Sequence, residues 1–275
     1  MEGHSKLSIN QYTTKMKWAL REAVEGYARH GIRGISVTRD TLVEIGLKRA
    51  SQLLNDNGMH VSGYCIGGLL TTPNELAFRA RIEENLKIID EAAQIDAECI
   101  VFVAGGLPEG SKDIGAARQR CLAGLRELLP HARSAGVTIA LEPLHPMTCS
   151  LRSCLTTLAQ ANDWCEELGG GDEVGVVVDV YHLWWDPNLE REIERASGRI
   201  AAFHVSDWLT DTSDLRVDRG MMGDGVIDIP RIRRLVEAAG YDGYNEVEIF
   251  SENNWWRRDP DEVVRIVKDR YTQFV

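Results

Sequence analysis

Val137-Thr138-Ile139-Ala140-Leu141-Glu142 is a short, largely β-branched run that ends on a carboxylate, and the form returns three times downstream. Gly175-Val176-Val177-Val178-Asp179, Ile200-Ala201-Ala202-Phe203-His204 and Asn245-Glu246-Val247-Glu248 each end on a residue type able to hold a metal ion. Near-continuous apolar runs of this length read as strands buried on both faces, as in parallel sheets. Working outward gives strands over 7–10, 33–37, 60–65, 99–103, 137–142, 175–180, 200–205 and 245–250. Between them, 16–30, 74–93, 116–134, 153–168 and 229–239 space apolar residues three and four apart, as crossover helices do. His30-Gly31, Ala135-Gly136 and Ala239-Gly240 place glycine where a left-handed C-cap would feed a short loop into the next strand. Eight repeats, with no GxGxxG after the first strand, predict an α/β fold: a single (β/α)8 barrel over residues 1–275.

The whole chain agrees with this reading. Its 275 residues, 44% hydrophobic, suffice for a large core. A formal charge of −11 without a Lys/Arg-rich run repels a phosphate backbone, so no nucleic-acid partner is expected. The start of the chain lacks an apolar signal region, and nowhere do 18 uncharged apolar residues run together, so no membrane association and a cytoplasmic address are expected. Six scattered cysteines, none in a CxxC pair, read as reduced and structural.

In such barrels the active site forms at the C-terminal ends of the strands. Residues two apart share a strand face, so Ala140, Val177 and Ala202 should point inward beneath Glu142, Asp179 and His204. Glu246 lies beneath Glu248, a buried carboxylate with no partner evident in the sequence, and either glutamate could be the ligand. Singly, these residues could cap helices or sit hydrogen-bonded in the core. Jointly, four ligand-type side chains at the mouth ends of four consecutive strands are costly to bury without a cation. Three carboxylates and one imidazole form a hard set, with Mn²⁺ the first choice and Mg²⁺, Co²⁺ or Zn²⁺ admissible. Such a cation polarises a carbonyl and an adjacent hydroxyl of a sugar-like substrate and stabilises the enediolate left by proton abstraction.

Leu141-Glu142-Pro143-Leu144-His145, Val178-Asp179-Val180-Tyr181-His182, Phe203-His204-Val205-Ser206-Asp207 and Glu246-Val247-Glu248-Ile249-Phe250 resemble the sugar-phosphate isomerase/epimerase superfamily with the xylose-isomerase-like TIM barrel. The resemblance runs from about Val137 to the C-terminus. In its ketose 3-epimerases a Glu, an Asp, a His and a Glu bind one Mn²⁺-like ion, and the two glutamates also carry the proton. The resemblance therefore implies Glu142, Asp179, His204 and Glu248 as ligands, Glu142 and Glu248 as catalytic residues, and Glu248 over Glu246. It further implies that His182 and Arg219, which opens Arg219-Gly220-Met221-Met222-Gly223-Asp224-Gly225, contact substrate.

One departure stands out. Where the ketose epimerases carry an acidic residue six positions after the first ligand, this chain has Thr148, and His145 stands nearby as a candidate general base. Tryptophans follow three successive strands, Trp184 and Trp185, then Trp208, then Trp255 and Trp256, with faces suited to a sugar ring or an aglycone. These features resemble lyases of 3-keto-glycosides, including the α subunit of C-glycoside deglycosidases, which implies an alternative β-elimination with His145 as base. Asp207 is expected to contact substrate, to orient His204 or Arg219, or to cap a helix. Trp184 and Trp208 are expected at the substrate. The expected partner is a small sugar or keto-glycoside, and the chain is expected to form a homo-oligomer or to pair with a second subunit. A non-catalytic binding protein on this fold would leave the four aligned ligands unexplained. Endonuclease IV shares a related barrel but needs further histidines and a basic face, both missing here.

Overall fold

A computed structural model describes residues 4–275; Met1–Gly3, the start of the expected 1–275 domain, lie outside the described residues. Eight parallel strands close on themselves in chain order: β1 (Leu7–Asn10), β2 (Gly34–Thr38), β3 (His60–Gly68), β4 (Cys99–Val103), β5 (Thr138–Leu141), β6 (Val174–Asp179), β7 (Ile200–Val205) and β8 (Asn245–Val247). β8 pairs back onto β1 through Leu7 with Asn245 and Ile9 with Val247, which completes the barrel. All eight expected strands are present. The ends differ, because the chain turns sharply at the mouth: β5 stops at Leu141, and β8 stops at Val247. Glu142 and Glu248 follow immediately, and their N–H groups still donate to Phe102 O and Val205 O on the neighbouring strands.

The crossover helices start where side chains can take their free N–H groups. Asn74 accepts from Ala77 N at the head of Glu75–Gln94, and Asp113 accepts from Ala116 N at the head of Ile114–Ala135. Ile114–Ala135 ends on Gly136 at φ 70°, the left-handed cap foreseen. Helices Arg39–Ile45 and Leu47–Asp56, between β2 and β3, and Leu189–Arg195, before β7, were not foreseen. The expected strand 175–180 also yields at Val180 to a one-turn helix, Val180–Leu183, because Asp179 Oδ1 accepts from Tyr181 N and caps it.

Two apolar layers hold the fold. The larger, between strands and helices, includes Ile9, Ile35, Phe102, Ile139, Val176 and Phe203. The smaller fills the barrel axis with Cys65, Cys99, Val101, Ala140, Val177 and Ala202, so the inward placement of the last three agrees with the strand alternation. Small side chains here leave room above for the polar groups at the mouth. All six cysteines are free. Among the described residues no helix is long and apolar enough to cross a membrane.

Candidate active site and metal centre

Glu142, Asp179, His204 and Glu248 come from the ends of β5, β6, β7 and β8, and each offers a ligand atom within 4.8 Å of all the others. All four are buried. His204 Nδ1 lies 3.4 Å from Glu142 Oε1 and 3.9 Å from Glu248 Oε2. Among the described residues, Glu142 Oε1 and both ring nitrogens of His204 are buried without a hydrogen-bond partner. Orphaned buried polar atoms are costly; Glu142 Oε1 and His204 Nδ1 face each other, while His204 Nε2 faces Glu246. Three carboxylates and one imidazole around a common centre fit a hard divalent cation.

Arg219 closes one side of the set. Its Nη1 donates to Asp179 Oδ2 (3.1 Å) and Glu248 Oε2 (3.0 Å), and its Nη2 lies 3.1 Å from His182 Nε2. The guanidinium is sandwiched by Tyr181 and Phe250, at 4.4 and 5.0 Å from their ring centres. Burial works to raise Asp179, but the charge on Arg219, with a further pull from His204, outweighs it and holds the carboxyl below its ordinary range. Burial likewise pushes His182 well below the usual histidine range, so its ring is neutral. Burial raises Glu248 to about 7, against the pull of Arg219 and His204.

The mouth has an aromatic wall. Trp208 packs on His145 (4.9 Å), Tyr181 (4.9 Å) and Trp184 (5.7 Å), and Trp185 meets the edge of His145. Trp256 packs on Phe250, which in turn packs on Tyr12, and donates Nε1–H to Tyr12 O, whereas Trp255 packs on Arg258. Burial lowers His145, so it too is neutral. Its Nδ1 accepts from Met147 N, which puts the ring proton on Nε2. His145 N in turn donates to His182 Nδ1 and ties the two loops together.

Asp207 does not reach His204 or Arg219. Oδ1 accepts from Trp208 N and Ile227 N, and Oδ2 accepts from Gly223 N and Gly225 N. Four amides that would otherwise form an anion cradle are thus occupied by the chain's own carboxylate. Gly225 has no room for a side chain, since a Cβ there would meet Trp208 O at 2.1 Å.

Three residues at the site escaped the sequence reading. Asn10 donates from Nδ2 to Glu246 Oε1 (2.7 Å) and Glu248 Oε1 (3.0 Å). Tyr12 lies close enough to Glu248 for that carboxylate to raise its phenol, a smaller influence than its burial. Arg152, half-buried, has no side-chain hydrogen bond or ion pair among the described residues; burial and the facing Arg219 lower it, while Glu142 and Glu248 pull the other way. Asn10 carried one signal, a polar residue ending a predicted strand. Arg152 carried none, since it stands in an irregular loop.

Residues 24–267 match the family described as xylose isomerase-like TIM barrel. The chain belongs to this family. It is 25% identical to an inosose isomerase of Halalkalibacterium halodurans, over 98% of this chain and 96% of that one. The solved structure of protein SMc04130 from Sinorhizobium meliloti 1021 is 48% identical, covers 98% of each chain and superposes with a TM-score of 0.96. IolI, solved with a binding zinc atom, shares the fold at TM-score 0.84 and 21% identity, over 98% of this chain and 99% of IolI.

Proposed function

We propose that this protein is a divalent-metal-dependent isomerase or epimerase of a sugar-like polyhydroxy ketone, acting by proton abstraction next to the carbonyl. The convergence of Glu142, Asp179, His204 and Glu248 at one point carries this reading. The likeness to inosose isomerase along nearly the whole of both chains supports the substrate class. The zinc atom of IolI supports a divalent ion, with Mn²⁺ our choice for this oxygen-rich set.

A cation held by these four residues would supply polarisation of the carbonyl and of its neighbouring hydroxyl. Glu142 and Glu248 stand on strands separated by β6 and β7, so their carboxylates approach the same substrate from different sides. One removes the proton from the carbon beside the carbonyl, and the other returns a proton, to the opposite face for epimerisation or to the adjoining carbon for isomerisation. Arg219, His182 and the unpaired Arg152 offer donors to substrate oxygens, while Trp208, Trp184 and Tyr181 exclude water.

The lyase alternative makes His145 the base. With Nδ1 holding the Met147 amide and the proton on Nε2, His145 is set to donate, which favours the isomerase reading.

The test is mass spectrometry of Mn²⁺-loaded protein in D₂O with inososes, free ketoses and 3-keto-glycosides in parallel. One deuterium entering an intact ketone is the expected result; aglycone release without exchange into intact substrate would replace this reading with the lyase. Glu142→Gln and Glu248→Gln should each lower turnover by about 10²–10⁴ with the fold retained. Wild-type turnover in both variants would remove the glutamates from the chemistry.

A further inference from the structure

Glu246 lies one inward position below Glu248 on β8, about 6.6 Å deeper in the barrel by strand geometry, and it is buried. A carboxylate so placed demands compensation. Its oxygens are held separately. Oε2 accepts from Ser62 Oγ on β3 (2.8 Å), and Ser62 is itself hydrogen-bonded to Ser8 Oγ on β1 (2.7 Å). Oε1 accepts from Asn10 Nδ2 (2.7 Å). Because Asn10 Oδ1 takes the N–H of Tyr12, the amide's NH₂ end is fixed toward the carboxylates. Glu246 is thus anchored from two other strands, β1 and β3, by donors that are all neutral.

The remaining neighbour of Glu246 Oε1 is His204 Nε2, at 3.4 Å. His204 and Glu246 are direct register partners across β7 and β8. The ring's other nitrogen, Nδ1, faces Glu142 and Glu248. An imidazole can present only one lone pair, and a fixed acceptor at the far nitrogen decides which.

We propose that Glu246 is a positioning residue: a slight turn of the ring brings the otherwise unpartnered Nε2–H of His204 onto Glu246 Oε1 and so commits Nδ1 to the cation. The assignment rests on the metal reading above and adds a fifth residue to it. Asn10 extends the device, since the same NH₂ group that steadies Glu246 also holds Glu248 Oε1 and leaves Glu248 Oε2, to which Arg219 donates, on the side of His204 Nδ1.

The experiment is calorimetric titration of Mn²⁺ into the wild-type protein, Glu246→Ala and Glu246→Gln, with folding checked by circular dichroism. Glu246→Ala should bind Mn²⁺ about 10–100-fold more weakly. Glu246→Gln should recover most of this loss, since its amide oxygen can accept from both His204 and Asn10 while its NH₂ reaches Ser62. Equal Mn²⁺ affinity in wild type and a folded Glu246→Ala overturns the proposal. Should Glu246→Ala not fold, ¹⁵N-histidine spectra of the Zn²⁺-loaded wild type decide it. Nδ1 metallated with a protonated Nε2, whose proton moves upfield in Glu246→Gln, supports the role; Nε2 metallated refutes it. No Mn²⁺ binding by the wild type would instead sink the metal reading itself.

Discussion

His204 is the residue on which the electrostatics of the mouth turn. Burial alone would push its imidazole down, yet Glu246, Glu142 and Glu248 raise it to about 10, and burial raises Glu248 to about 7. A cation entering this set competes with those protons, because both ligands must be deprotonated to bind. Metal binding therefore releases protons, and lowering the pH must weaken it. Between pH 8 and 6 the apparent Mn²⁺ affinity should fall by at least about tenfold per pH unit, the mass-action slope for one released proton. An affinity independent of pH, read by calorimetry in several buffers, would contradict the ligand set. The clustering of Glu142, Asp179 and His204 was legible because each ends a predicted strand, whereas the choice of Glu248 over Glu246 came from the family resemblance and not from periodicity. The setting of Glu246 was not legible, since Asn10 and Ser62 lie 236 and 184 residues away.

At the level of elements, the segment between β7 and the helix Ile229–Ala238 carries Arg219 at the head of a glycine-rich turn, Arg219–Gly225. The structure folds that turn around Asp207, which pairs with Gly220 in a short antiparallel bridge and gathers the amides of Trp208, Gly223, Gly225 and Ile227. Arg219 is carried to the site by this loop, its N–H donating to Phe250 O beyond β8. Asp207→Ala should therefore orphan the amides, cost about 3 kcal/mol by denaturant unfolding, and raise KM by loosening Arg219 and Trp208. Unchanged stability with normal KM would deny the loop its organiser. The helices Glu75–Gln94 and Ile114–Ala135 were readable from their apolar spacing, and their caps Asn74 and Asp113 sit three residues from the amides they take. Leu189–Arg195 was not: it is seven residues long, too short for periodicity to separate it from a loop.

Across the whole molecule, the four clustered residues come from four consecutive strands, while Asn10 on β1 and Ser62 on β3 hold Glu248 and Glu246, so the site is complete only in the closed barrel. A cation that binds only the closed barrel stabilises it by mass action. At a hundredfold excess over Kd this amounts to about 2.7 kcal/mol, or roughly 5–10 °C in Tm for a chain of this size. Chelation should reverse the shift, and Glu142→Gln should abolish it; a Tm indifferent to Mn²⁺ would argue against a shared centre. The barrel itself was legible from eight recurrent runs, because one architecture satisfies that many buried parallel strands. The aromatic wall has a separate consequence. Trp208 stands 5.7 Å from Trp184 at 49° between ring planes and 4.9 Å from Tyr181, close enough for their ultraviolet transitions to couple. The mouth thus carries its own chromophore assembly, and a substrate that shifts Trp208 would rewrite the exciton signal in circular dichroism, making the empty and filled protein distinguishable by light with no label attached.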